Sequence, residues 1–210
     1  MTIPAAVSAP FWQRPAVLDR FEQGLIVLMW LVLATRIEMS GNPWAVLILL
    51  SETSVVLFTL IRRPTDKVSM RLGDWLLAMT ATGAPLLIVP GVPPVAALIP
   101  LGVGLIIVGN LLQLWAKLTL RRSFGIAPAN RGIKKAGPYR LVRHPMYAGY
   151  ALTHLSALIL MFHPLNLLIY ALGWTAQILR LHAEERLLSA DPDYAAYCGA
   201  VRWRLIPGLF

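Results

Sequence analysis

VAALIPLGVGLIIVGNLLQLWAKLTL, residues Val95–Leu120, is an apolar run of 26 residues broken by one late lysine, Lys117. A helix rising 1.5 Å per residue needs about 20 mostly apolar residues to cross a bilayer. Helices and closed barrels are the structures that satisfy their own peptide groups there. Working outward, five more segments come near that length: Gly24 to Ile37, Pro43 to Ile61, Leu72 to Val89, Met146 to Phe162 and Leu165 to Leu181. With 57% hydrophobic and only 14% charged residues and a mean hydropathy of +0.64, the chain falls outside the range of soluble domains. The expected fold is all-α: a polytopic, integral membrane protein of five to six transmembrane helices. The last two segments are short and separated only by His163-Pro164. They read as a tight C-terminal helical hairpin or one re-entrant unit, followed by a polar, cytosolic tail.

Loop charges set the orientation, because Lys and Arg are retained on the cytoplasmic side. Arg14 and Arg20 precede the first span; Arg62, Arg63, Lys67 and Arg71 fill the gap before the third. Lys117 to Arg143 holds eight basic residues and no acidic one, and Arg186, Arg202 and Arg204 follow the last span. The alternate gaps, near Ser40, from Gly91 to Pro100 and at His163, are almost free of basic residues. Six spans with both termini cytoplasmic fit every gap. Residues 1–90 read as membrane-anchoring helices, and 91–210 as the catalytic region with its cytosolic segments.

The net charge of +9 suggests membrane lipids as partners and no nucleic acid, since the basic residues lie between apolar segments and no groove-entering element accompanies them. A lone cysteine, Cys198, excludes an intramolecular disulfide and any multi-cysteine metal site. Gly102, Gly104 and Gly109 suit close helix packing and do not form a dinucleotide-binding turn. The first twenty residues show no cleavable signal, so the first apolar segment is expected to stay as an anchor, and the Gly208-Leu209-Phe210 ending is no prenylation signal.

Two polar clusters punctuate the apolar half. The first is Gly137-Pro138-Tyr139-Arg140-Leu141-Val142-Arg143-His144-Pro145-Met146-Tyr147-Ala148-Gly149. Proline at the first helical position makes His144-Pro145 a helix start, whose free N–H groups, with Arg140 and Arg143, suit a carboxylate or phosphate. Interfacial snorkelling explains the arginines equally simply. The second cluster is Arg180 with Glu184 and Glu185, then Tyr194, Tyr197, Trp203 and Arg204. Arg180 and Glu184, four apart, share a helix face with Gln177, a stripe fit for a zwitterion or for a plain surface ion pair. The aromatic residues also fit an interfacial belt. Asp191-Pro192-Asp193 reads as cap, first-turn proline and favourable charge, predicting a short helix from Tyr194 to Val201. Glu52 sits in mid-span, flanked by Ser51, Thr53 and Ser54, and is expected to be protonated and hydrogen-bonded. Asn110 and Gln113 put polar edges in the bilayer, open to substrate contact or helix-to-helix bonding.

From Gly137 onward the run Gly-Pro-Tyr-Arg-x-x-Arg-His-Pro-x-Tyr-x-Gly, then Arg180-x-x-x-Glu184-Glu185, Tyr194-x-x-Tyr197 and Arg204-Leu205-Ile206-Pro207, resembles the isoprenylcysteine carboxyl methyltransferase family; integral membrane phospholipid N-methyltransferases carry a similar signature. The resemblance implies an S-adenosyl-L-methionine-dependent enzyme acting on a lipophilic or prenylated acceptor. It places Tyr139, Arg143, His144, Pro145, Tyr147, Gly149, Glu184 and Glu185 at the cofactor. Arg180, Glu184 and Arg204 are the expected catalytic residues, with Asn110, Gln113, Tyr197 and Trp203 toward the acceptor and no metal. Leu181-His182-Ala183 replaces a more polar stretch of the family, which bears on the acceptor more than on the cofactor. Rival readings are a phospholipid-amine or small-thiol methyltransferase, a membrane sterol-type reductase using NADPH, and a non-enzymatic scaffold or transporter.

Overall fold

The computed structural model describes residues 15–63, 65 and 67–210. Arg14, one of the two basic residues expected before the first span, lies outside the described residues, as does most of the segment read for a leader. Among the described residues the regular structure is helical, with strand-like pairing limited to the bridges Val68–Ala129 and Val92–Phe162. The α-helices are α1 (Pro15–Ser40), α2 (Ala45–Leu60), α3 (Leu72–Gly83), α4 (Ile99–Leu120), α5 (Pro145–Leu160), α6 (Pro164–Leu188) and α7 (Pro192–Ala200). Each of the six apolar segments therefore carries one α-helix.

Local chemistry sets the boundaries. Pro145, Pro164 and Pro192 each open a helix, where a missing N–H leaves no bond unmade. His163 Nδ1 accepts from Leu165 N at 3.2 Å, and Asp191 Oδ1 accepts from Asp193 N at 3.0 Å, so both starts carry side-chain caps. The third apolar segment tightens from α3 into a 3-10 turn, Ala84–Leu87, with Pro85 in its first turn. α6 runs to Leu188, well past the expected end at Leu181, and so holds Glu184 and Glu185 rigidly on helix.

α5 lies along α4 and α6 along α3 with close backbones, while α5 and α6, joined by the short turn at Met161–His163, meet through long side chains rather than in the tight packing expected from the sequence. Glycines explain the first pairing. A Cβ on Gly149 would stand 2.6 Å from Gln113 Cγ and 2.9 Å from Gly109 O, so these backbones approach only because both positions lack side chains. Rings explain the separation of α5 from α6. Tyr147, Tyr150, His154 and Tyr170 stack in sequence, with centroids 4.7–6.1 Å apart, and Trp174 Nε1 donates to His154 Nδ1 at 3.1 Å.

Connections sort to two ends. At one, Asn42 Nδ2 donates to Gly91 O at 2.6 Å, and Val92 pairs with Phe162. At the other, Arg63 N donates to Arg122 O at 2.7 Å and Asn130 N to Lys67 O at 2.9 Å. The outside of the bundle is strongly apolar: Leu28, Leu50, Val108, Leu111, Leu168 and Leu172 are all exposed. Inside, Gln113 ties helices together. Its Oε1 accepts from Ser51 and Lys117, its Nε2 donates to Thr153, and Lys117 also reaches Ser54. Among the described residues one helical stretch, Ala96–Ser123, is long and apolar enough by itself to cross a membrane.

Candidate active site

The start of α5, the end of α6, α7 and the loop from Leu120 to Lys134 surround a cavity enclosing about 730 Å³, open mouth included. His144, Arg143, Tyr147 and Tyr139 enter it from the first polar cluster, Glu184, Tyr194 and Tyr197 from the second. The two clusters, some 40 residues apart in sequence, thus share one space.

Each acidic residue of the pair has its own setting. Tyr147 Oη donates to Glu184 Oε2 at 2.6 Å, which fixes that carboxylate in the cavity wall. Glu185 stands behind the wall: His144 Nε2 lies 3.2 Å from its Oε1, and Arg204 Nε donates to its Oε2 at 2.9 Å. Arg143 Nε is 2.9 Å from Oε1, in ion contact but outside hydrogen-bond alignment. Burial pushes the Glu185 carboxyl up, yet the bonds from His144 and Arg204 and the charges of His144 and Arg143 outweigh it and hold the group down at about 2. Backbone bonds tighten the same region, with Arg143 N donating to Trp203 O at 2.9 Å and His144 N to Arg204 O at 2.8 Å. The C-terminal segment therefore straps the mouth of α5.

Tyr194 Oη is buried without a partner on the cavity lining. Burial, then the negative charges of Glu185 and Glu184, push its phenol well above the usual range, so it remains a neutral donor in need of an acceptor. Tyr139 is raised likewise, by burial first and by Glu184 next. The Tyr197 hydroxyl donates to Tyr139 O at 2.6 Å, fastening α7 to the turn before α5.

Arg180 and Glu184 share a helix but make no ion pair with each other. Arg180 is buried, with Nη1 donating to Thr82 Oγ1 at 3.3 Å and Nη2 to Gly125 O at 3.2 Å, and its guanidinium carbon lies 5.3 Å from the centre of the Tyr147 ring. It faces a second, smaller cavity with Glu52, Thr82, Tyr150, His154 and Gln177. Tyr147 thus stands between the two spaces, Glu184 on one side and Arg180 on the other.

The remaining sequence-assigned residues lie outside the first cavity. Pro145 opens α5, Gly149 packs against α4, and Gln113 is enclosed in the helix-bonding network; Asn110 Nδ2 donates to Leu47 O at 3.3 Å. Trp203 is exposed and meets the site through its backbone, while Arg204 acts on it through Glu185. Sequence reasoning treated the 120–134 loop as charge alone, although it forms a whole wall. Phe124, Ile126 and Ala127 are buried, and Gly125 is pressed so closely by Arg131 that a Cβ there would sit 2.3 Å from Nη1. The signal was an apolar, glycine-flanked patch inside a basic loop. Arg131 is in turn fixed by Arg63 O at 3.0 Å and belongs to a buried ion cluster with Arg62, Asp19 and Glu22.

The helical bundle thus combines an apolar exterior with a polar cavity assembled at one end. Residues 102–190, from the start of α4 to the end of α6, match the family model of isoprenylcysteine carboxyl methyltransferases. That match supports, over these residues, the resemblance read from the sequence. A search among curated proteins gave no match.

Proposed function

We propose that the protein is a multi-pass membrane methyltransferase that takes a methyl group from S-adenosyl-L-methionine and delivers it to the carboxylate of a lipophilic, isoprenylcysteine-like acceptor. The observation that carries this reading is the convergence of His144, Tyr147 and Glu184 on one cavity, within a segment matching the methyltransferase family.

The lining fits such a cofactor chemically. Glu184 offers a carboxylate to an ammonium or to ribose hydroxyls, Arg143 and Lys134 offer cations to a carboxylate, and the unpartnered Tyr194 hydroxyl offers a donor. When bound, the cofactor supplies an already activated methyl group. The protein's work is then alignment and exclusion of water. Tyr147 and Glu184 fix one wall; Glu185, held by Arg143, Arg204 and His144, keeps His144 and Arg143 in place. Arg180, beyond the Tyr147 ring, holds the acceptor's carboxylate. A carboxylate nucleophile needs no general base, which agrees with the absence of any further dedicated base in this wall.

The topology that goes with this reading has six crossings. Loops with almost no basic residues gather at one end of the bundle and the basic ones at the other, as alternation requires. The active-site cavity lies at the basic end, facing the cytosol.

The deciding experiment uses detergent-solubilised protein. Calorimetry should detect binding of S-adenosylmethionine and none of NADPH, and labelled cofactor should transfer its methyl group to a lipid-soluble acceptor in membrane extracts. Binding of NADPH instead would move the protein to the reductase class, and binding of neither by folded protein would refute an enzymatic role.

A further inference from the structure

Four charged side chains from three separate parts of the chain meet at the loop that walls the active-site cavity. Asp19 and Glu22 stand one turn apart near the start of α1, Arg62 follows α2, and Arg131 belongs to the loop. The Asp19 carboxylate is shared: Arg62 Nη2 lies 2.5 Å from its Oδ1 and Arg131 Nη2 3.8 Å, while Glu22 pairs with Arg62. The side chains of Glu22, Arg62 and Arg131 are at most 3% exposed, and that of Asp19 is 22% exposed. Desolvating two cations and two carboxylates largely cancels their attraction, so such a cluster adds little net stability, and the best-attested use of buried charge is to fix register. Arg131 carries that register to the cavity wall. It lines the cavity; its Nε donates to Arg63 O at 3.0 Å, its carbonyl accepts from Ser123 Oγ at 2.9 Å, and its Nη1 presses on Gly125, whose own carbonyl accepts from Arg180. Among the described residues Asp19 is the one carboxylate within 4 Å of Arg131.

Resting on the cofactor reading above, we propose that Asp19 is a positioning residue of the cofactor site: from α1 it orients Arg131, and through Arg131 it sets the loop wall against which S-adenosyl-L-methionine binds. Arg62 and Glu22 hold Asp19 in place for that task. A wall already fixed needs no ordering when the ligand arrives, whereas ordering a loosened one weakens binding. Asp19, Glu22 and Arg62 all precede residues 102–190, the part that matches the methyltransferase family. The N-terminal helices, read from the sequence as an anchor, then belong to the binding machinery.

The test measures S-adenosylmethionine binding by calorimetry on the full chain in nanodiscs. Asp19→Asn removes the shared charge at a partly exposed position and should raise Kd about three- to tenfold, within the range of couplings carried by residues that do not touch the ligand. Asp19→Glu, which keeps the charge, should recover most of the affinity. Arg131→Lys keeps a charge but loses the fork that serves Asp19 and Arg63 together, so it should weaken binding as Asp19→Asn does and answers the question even if that variant does not fold. Asn166→Ala is the control for general loosening: its side chain bonds Val89 and Met161 at the opposite end of the bundle, so it should lower the melting temperature and leave Kd in place. Wild-type Kd in Asp19→Asn and Arg131→Lys, no recovery in Asp19→Glu, or an equal loss in Asn166→Ala would each overturn the proposal. If wild type binds no S-adenosylmethionine, the cofactor reading itself fails. Hydrogen exchange in the ligand-free protein then decides whether α1 holds the wall, since the amides of residues 123–131 should exchange faster in Asp19→Asn and rates equal to wild type would refute the link.

Discussion

Glu184 and Glu185 are adjacent in sequence and opposite in role, because one helical residue turns a side chain by about 100°. Glu184 faces the cavity, bonded by Tyr147; Glu185 faces back to Arg143, His144 and Arg204. Glu184→Gln keeps the shape and removes the charge. It should weaken S-adenosylmethionine binding about tenfold or more, the measure of a lost charge-assisted hydrogen bond, while the melting temperature stays near wild type; calorimetry and thermal melts read both. Glu185→Gln should act mainly on stability. The Glu185 carboxyl is depressed in the folded protein from its ordinary 4.5 to about 2. A depressed group stabilises the fold at pH above its unfolded value and loses that contribution as pH falls through the folded one. The melting gap between wild type and Glu185→Gln should therefore be steady above pH about 4.5 and close as the pH approaches about 2. A gap that stays constant down to pH 2 would show that the cluster contributes through packing instead.

At the scale of the helix, the sequence was most legible where a single physical signal dominated. Apolar length marked six helices, and proline marked the starts of α5 and α7. What the pattern did not show was pairing, since apolar stripes alone do not say which helix meets which. The α4/α5 contact depends on Gly109 and Gly149, and the latter was assigned to the cofactor because it sits inside the first polar cluster. Gly149→Ala should destabilise the protein by about 1–3 kcal/mol, the usual effect of overpacking a tight contact. Gly104→Ala is the control, since nothing lies within 4 Å of a Cβ there. It should be neutral or slightly stabilising, because alanine is the better helix former. Thermal unfolding in one detergent distinguishes the two, and similar losses at both would argue that helix flexibility, not the α4/α5 approach, is what these glycines supply.

Across the whole molecule, the second polar cluster and the basic loop reach the first cluster only through the three-dimensional path of the chain. The loop wall from Leu120 to Lys134 was missed because its charges already had an explanation in topology, which hid the buried Phe124 and Ile126 between them. The same loop charges now give the most direct test of the architecture. The six alternating crossings proposed above would put the α1/α2 turn on one side of the membrane and the segment before the Gly137 turn on the other. In a Cys198→Ser background, Met39→Cys and Ala136→Cys place single thiols at exposed positions of these two ends. In sealed vesicles with the cytosolic face inside, a membrane-impermeant maleimide should label Met39→Cys at once and Ala136→Cys only after permeabilisation. The order should invert in vesicles of the opposite orientation. Labelling of both from the same side would remove the alternation and, with it, the reason for the basic loops to gather at the cavity end. The proposed S-adenosylmethionine would then need another route to the cavity, because a charged nucleoside cannot reach it through the apolar exterior that surrounds the rest of the bundle.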